Sequence, residues 1–138
     1  MHEVKLSRDA KRATAGGCHG FAARRRARLI SLRYDSALAP HGLTIGQFSM
    51  LSALAGAGRM PVTALSSLMG LEQSATSRAL APLIRDGLVA MRRGRKDKRM
   101  RVVSLTGAGA ARLNDAAASW AKVQDAISAE IARGAPLA

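Results

Sequence analysis

The sequence has few aromatic residues, few acids and almost no cysteine, and each shortage excludes something. One tryptophan, one tyrosine and two phenylalanines make up 3% of the 138 residues. That is too few for the stacking platforms on which single-stranded RNA binding relies. Leu, Ala, Val, Ile and Met must therefore fill the core. At 48% apolar content there is enough for one packed domain, and Ala and Leu favour helix over sheet. A single cysteine, Cys18, precludes an intramolecular disulfide and suits a reducing cytoplasm. No stretch approaches the roughly 18–20 apolar residues of a membrane span. The N-terminus carries Lys5, Arg8, Lys11 and Arg12 and lacks the apolar middle of a secretory signal peptide.

The chemistry of catalysis is missing too. His2, His19 and His41 are scattered, and His19 beside Cys18 has no second pair to complete a tetrahedral metal site. There is no phosphate-cradling glycine loop and no Ser-His-Asp order in a fitting context. The expectation is a non-enzyme with no catalytic residues, no metal and no cofactor.

What is abundant is positive charge. Nine acids face 22 lysines and arginines, a net charge of +13. So basic a domain repels itself and calls for an anionic partner, nucleic acid first and an anionic membrane surface second.

Residues 1–17 are charged, end in Gly16-Gly17 and show little periodicity, which predicts a mobile arm. Over 18–42, Ala23, Ala27, Ile30, Tyr34 and Leu38 recur at helical spacing among Arg24, Arg25, Arg26, Arg28 and Arg33, and Pro40-His41-Gly42 ends the helix. The arginine run is read as a solvated helix face, with DNA backbone or acids of a second copy as its alternatives. Thr44 and Gln47 form a capping-box pattern before a helix that presents Phe48, Leu51, Leu54 and Ala55. Pro61 suits the opening of a short helix with an inward stripe of Val62, Leu65, Leu68 and Met69, and Gly70 suits its left-handed stop.

The next helix spans about Glu72 to Asp86. At 100° per residue, Thr76, Ala79, Leu80, Leu83 and Ile84 share one side, and Ser74, Ser77, Arg78, Ala81 and Arg85 the other. Pro82 interrupts the backbone ladder, but the apolar pattern continues across it, which predicts a local bend rather than a break. Leu88–Met91 and Val102–Leu105 read as strands joined by the basic hairpin Arg92–Arg99. Thr106 then caps a last helix carrying Leu113, Ala117, Trp120, Ile127 and Ile131, closed by Gly134 and Pro136.

Two helices joined by a tight glycine turn, followed by a basic hairpin, make a physical reader of double-stranded DNA. The second helix enters the major groove, whose base edges form a distinguishable donor and acceptor code. Ser74, Ser77 and Arg78 face outward near its start, with Gln73 at the border. Arg and Gln can each contact a base in bidentate fashion. The stretch 92–101 holds basic residues at 92, 93, 95, 96, 98, 99 and 101 around a lone acid, Asp97. Arg93, Arg95, Lys96, Lys98 and Arg99 are placed there to neutralise phosphate. Asp97 either orients Arg99 by an ion pair or shapes the turn.

Cys18 sits at a helix start, where unpaired amides favour a thiolate. It is a candidate redox sensor, with an inert cysteine as the plainer reading. The competing function is a winged-helix module without sequence choice, binding nucleic acid or serving as an adaptor.

From Leu43-Thr44-Ile45-Gly46-Gln47-Phe48 through Leu105-Thr106-Gly107-Ala108-Gly109 the chain resembles the MarR (multiple antibiotic resistance regulator) family. The matching pieces are Leu65–Gly70, Ser77-Arg78-Ala79-Leu80, Arg85-Asp86-Gly87-Leu88-Val89, and Lys96-Asp97-Lys98-Arg99 before Val103-Ser104-Leu105-Thr106. The resemblance covers roughly residues 20–125. It implies a mainly α fold with a small β-hairpin wing, and a homodimer on a pseudo-palindromic DNA operator. It further implies a transcriptional regulator in the cytoplasm, a repressor relieved by a small aromatic or phenolic ligand or by cysteine oxidation. Gln73, Ser74, Ser77 and Arg78 would lie on the recognition helix, and Arg95 to Arg99 on the wing. The expected organisation is one structural domain, with dimerisation helices at 18–42 and 107–138 flanking the winged helix-turn-helix at 43–106. Family members often continue into a further C-terminal helix. Here the chain stops at Ala138, so either the long last helix and the N-terminal arm suffice for the dimer, or its interface and the ligand pocket beneath it are reduced.

Overall fold

The computed structural model describes residues 4–14 and 16–135. Pro136 and His2 lie outside the described residues. Six α-helices and one three-stranded sheet follow the order α1 (Arg8–Ala13), α2 (His19–Leu38), a 3-10 turn (Ala39–His41), α3 (Ile45–Ala57), β1 (Arg59–Pro61), α4 (Val62–Met69), α5 (Gln73–Arg85), β2 (Val89–Arg93), β3 (Arg101–Leu105) and α6 (Gly107–Ala132). The mainly α fold with a small β wing is as the sequence predicts. Within the stretch 1–17, α1 is a short helix capped by the Ser7 side chain, and none of its residues is buried.

Local signals set most boundaries. The Thr44 hydroxyl accepts from the Gln47 amide while the Gln47 side chain accepts from the Thr44 amide, a complete capping box worth about 1 kcal/mol. Gly70 ends α4 in the left-handed conformation, with φ 67°, which a residue with a Cβ adopts only with strain. Helix α5 runs unbroken through Pro82. Proline has no N–H, so the Arg78 carbonyl loses its intrahelical partner there without ending the helix. Thr106 does two jobs at one corner. Its hydroxyl donates to the Gly87 carbonyl at 2.6 Å and accepts from the Gly109 amide at 3.0 Å, starting α6 and fastening the turn after α5.

The core lies between the end of α2, α3, α4, α5, the inner face of the sheet and α6. Leu51, Leu54, Leu65, Leu80 and Val103 are fully buried in it. The Phe48 and Trp120 rings stack at 5.8 Å between centroids and join α3 to α6. Gly109 marks a close approach of α6 to the turn after α5, because a Cβ there would meet the Leu88 carbonyl oxygen at 2.1 Å.

Inward assignments in three helices are corrected. In α3, Met50 takes the buried place expected of Ala55, which is exposed. In α4, Leu68 is 65% exposed, and Ser66 is buried instead. In α6, Ala116 is buried while Ala117 and Ile131 face outward. The Ser66 case has a clear cause. Its hydroxyl donates to Thr76 Oγ1 at 2.8 Å in the interior, and Thr76 in turn donates to the Glu72 carbonyl at 3.1 Å. A buried hydroxyl with a partner is tolerated where an unpaired one is costly.

Helices α2 and α6 run antiparallel, tied by polar contacts in reverse order. Arg33 forms a two-pronged ion pair with Glu130 at 2.7 and 2.8 Å, Tyr34 donates to Gln124, His41 meets Ser119 at 3.1 Å, and Arg112 donates to the His41 carbonyl. The ion pair raises the Arg33 pKa and lowers that of Glu130, through their mutual hydrogen bonds first. Burial raises the Tyr34 pKa and keeps the phenol neutral. Glu130 is near the end of α6, so residues 19–29 of α2 project past it. That overhang explains why Ala23 and Ala27 are exposed although they keep the spacing of Ile30, Tyr34 and Leu38.

Candidate nucleic-acid interface

The surface begins with the α4–α5 pair. Leu80, Leu83 and Thr76 are buried on one side of α5, which turns the opposite side outward. Gln73, Ser74, Arg78, Ala81 and Arg85 are exposed, and Ser77 is half-buried. Thr76 is fully buried, consistent with its place on the helical wheel among core residues. The reason Ser77 is less open than Ser74 is a contact from the wing. Arg101, on β3, donates from Nη2 to Ser77 Oγ at 3.1 Å.

The sheet order is β1-β3-β2, all antiparallel. Strand β2 extends to Arg93 and β3 starts at Arg101, so the paired region is longer than the apolar pattern alone marks. Arg93 and Arg101 face each other in the last pair of the ladder. Beyond them, the loop 94–100 carries Arg95, Lys96, Asp97, Lys98 and Arg99, all exposed. Asp97 Oδ1 accepts from the Arg99 backbone amide at 3.0 Å and from its Nε at 3.4 Å. Both roles weighed for Asp97 are thus present. The amide bond has the better geometry, and the side-chain pair, with Arg99 93% exposed, adds little in water.

Wing and helix also meet in a groove. Gln73 at the start of α5 lines a cavity of about 230 Å³ together with Arg99 and Arg101 of the wing and Pro61 before α4. The structure therefore brings Gln73, Ser77 and Arg99 onto one continuous surface. Arg93, Lys98, Arg99 and Arg101 line a second groove on the wing. Cys18 belongs to neither α5 nor the wing. It caps α2, its Sγ accepting from the Phe21 amide at 3.4 Å, and it is partly exposed.

Two residues of the wing sheet are absent from the candidate positions named from sequence. Arg101 counts there only as one charge among several. The strand period could have placed it, because it lies two residues from the buried Val103 and so on the face turned to α5. Arg59 belongs to β1, which pairs with β3 from Arg59↔Ser104 to Pro61↔Val102. Three residues around a proline give no alternation to read, so the sequence hides this strand.

No described helix is long and apolar enough to cross a membrane. Among the described residues, no group of three or more His, Cys, Asp or Glu is placed to hold a metal ion.

Comparison with known proteins agrees with this arrangement. The model of the MarR family matches residues 41–100. The transcriptional regulator MosR of M. tuberculosis, solved in complex with DNA, is 36% identical, with 81% of each chain covered and a TM-score of 0.75. A cysteine-to-serine mutant of MarR from E. coli, solved with operator DNA, is 25% identical over 70% of this chain and 69% of that one, with a TM-score of 0.66. The HTH-type transcriptional regulator PetP of Rhodobacter capsulatus is 47% identical over 51 residues, which is 37% of this chain and only 31% of that relative's length. The family match falls on the helix pair and the wing loop, and the likeness to MosR covers 81% of both chains at 36% identity: the chain belongs to the MarR family.

Proposed function

We propose that the chain is a sequence-specific regulator of transcription that binds double-stranded DNA as a homodimer. The observation that carries this reading is the joint surface of α5 and the wing, where Gln73, Ser74 and Arg78 stand exposed beside a loop of four cations, with Ser77 held by Arg101. Helix α5 supplies base contacts and the wing supplies phosphate contacts. The outward side of α2, with Phe21 on the overhang and Leu32 beyond it exposed, supplies apolar surface for the second copy. Relatives of known structure bind DNA, which supports the same role here. The regulator is read as a cytoplasmic repressor, relieved by a small ligand or by oxidation of Cys18.

Selection of bound duplexes from a random pool tests the core of this reading. The expected result is a palindrome with half-sites about one helical turn apart. Arg78→Ala should then weaken operator binding by about 1–3 kcal/mol and relax base preference at one position of each half-site. Equal loss on operator and random DNA would remove base reading from Arg78, and a pool without consensus would leave only non-specific binding.

A further inference from the structure

The hydrogen bond from Arg101 Nη2 to Ser77 Oγ is, among the described residues, the only side-chain hydrogen bond that joins α5 to the wing. Its direction is forced by chemistry. A guanidinium carries N–H donors and no acceptor, so Arg101 donates and Ser77 accepts. No acid competes for Arg101. Among the described residues it belongs to no ion pair, and Asp97, the acid of the loop, engages Arg99 instead.

A serine hydroxyl has one proton to give and lone pairs to receive. Inside a helix the proton often goes to the carbonyl four residues back. Ser49 in α3 donates in this way to Ile45 at 2.7 Å, and Thr76, beside Ser77, donates to Glu72 at 3.1 Å. Ser77 makes no such bond among the described residues; its side chain is engaged by Arg101 alone. One lone pair of Ser77 is therefore occupied and its proton is unspent. The hydroxyl also stands where it can be used. Gln73, one turn earlier on α5, lines the groove between helix and wing together with Arg101, and Ser77 is only half-buried.

We propose that Arg101 is a positioning residue for base choice: by holding Ser77 Oγ as an acceptor it turns the hydroxyl proton outward, and Ser77 reads the major groove as a donor only. A free serine hydroxyl rotates to give or to receive a hydrogen bond, so it tolerates any base edge. A fixed donor suits the acceptors of guanine, thymine and adenine N7, and it has nothing to offer the cytosine amino group. The base that faces Ser77 is then any but cytosine. Arg101 sets this preference from the wing without touching the base. The inference rests on the DNA-binding reading above.

The test uses the full chain and four variants: Ser77→Ala, Arg101→Ala, the double variant Ser77→Ala/Arg101→Ala, and Lys98→Ala. Circular dichroism checks that each folds. Selection from random duplexes with the parent and with Ser77→Ala locates the position that Ser77 reads, as the one whose preference relaxes. Fluorescence anisotropy then gives, for each protein, the ratio of affinities for the selected duplex and for the same duplex with cytosine at that position. The ratio cancels the loss of a cation, which weakens binding to both duplexes. It should be at least about tenfold in the parent and fall to about threefold or less in Arg101→Ala. In the Ser77→Ala background, Arg101→Ala should leave the ratio unchanged. Lys98→Ala should weaken both duplexes alike and keep the parent ratio. A ratio that Arg101→Ala lowers no more than Lys98→Ala does, or lowers equally with and without the Ser77 hydroxyl, overturns the positioning role. So does a Ser77→Ala selection in which no position relaxes. A parent that selects a consensus while Arg101→Ala leaves the ratio unmoved keeps the DNA reading and loses only this inference. A parent that selects no consensus loses both.

Discussion

The helix pair α4–α5 and the helix pair α2–α6 are closed by different means. Between α4 and α5 the contact is interior. Leu65, Leu80 and Leu83 pack, and the Ser66 and Thr76 hydroxyls meet inside the protein. Between α2 and α6, beyond the buried Tyr34, Leu38 and Ile127, the ties are polar and half-open to water. Arg33 and Glu130 remain 27% and 23% exposed, and residues 19–29 of α2 extend beyond their partner. A buried hydroxyl pair has one workable geometry, because each group left unpaired is costly. A rim ion pair tolerates several geometries at little cost. The reading head is therefore fixed by its own chain, while the flank is fixed only where it is tied.

The largest expected effect would break this contrast if it appeared in the wrong place. Leu80→Ala should cost about 2–5 kcal/mol in urea unfolding, as truncation of a fully buried leucine does. Phe21→Ala, on the overhang, should leave the unfolding of dilute monomer within about 0.5 kcal/mol of the parent and act only on dimer dissociation. A loss of folding stability from Phe21→Ala comparable to that from Leu80→Ala would show that the overhang is core after all.

A smaller effect sharpens the account of the hydroxyl pair. Thr76→Val should cost about 1–3 kcal/mol, because Ser66 then lacks its acceptor inside the protein. Adding Ser66→Ala should recover much of that loss, since no buried donor remains. Losses that simply add would mean that the two hydroxyls act separately.

The smallest effect concerns the rim. Glu130 titrates below its ordinary value because Arg33 donates to it. A carboxyl lowered in this way stabilises the fold above its unfolded pKa, about 4.3 for Glu, and the gain is lost as pH falls through the lower folded value. The urea midpoint of the parent should therefore exceed that of Glu130→Gln near neutral pH, and the gap should close in acid. A gap independent of pH would assign the difference to packing rather than charge.

Elements with a local cause were legible in the sequence. The Thr44–Gln47 box, the Gly70 stop and the Thr106 cap each act over a few residues and can be read from a few residues. The two-sided character of α5 was equally plain, since Leu80 and Leu83 recur at helical spacing. What stayed hidden depends on distant partners. Nothing near Ser66 announces that Thr76 will sit across from it, so Leu68 looked the better core residue. Ala23 and Ala27 keep perfect spacing, yet α6 ends too early to cover them. Strand β1 exists only because β3 pairs with it. On the wing the charge was legible and the Arg101–Ser77 contact was not, because it joins residues 24 apart in sequence.

The close approach at Gly109 gives α6 a mechanical property. The helix passes almost against the Leu88 carbonyl near its first turn and then runs for 26 residues, about 39 Å at the usual rise. It is a lever with a very short inner arm. A tilt of roughly 5° about Gly109 would carry its far end roughly 3 Å over such a length while hardly moving the inner end. By the same geometry, a displacement at the end tied to Arg33 would arrive at the corner of Thr106, Gly87 and Leu88 much reduced.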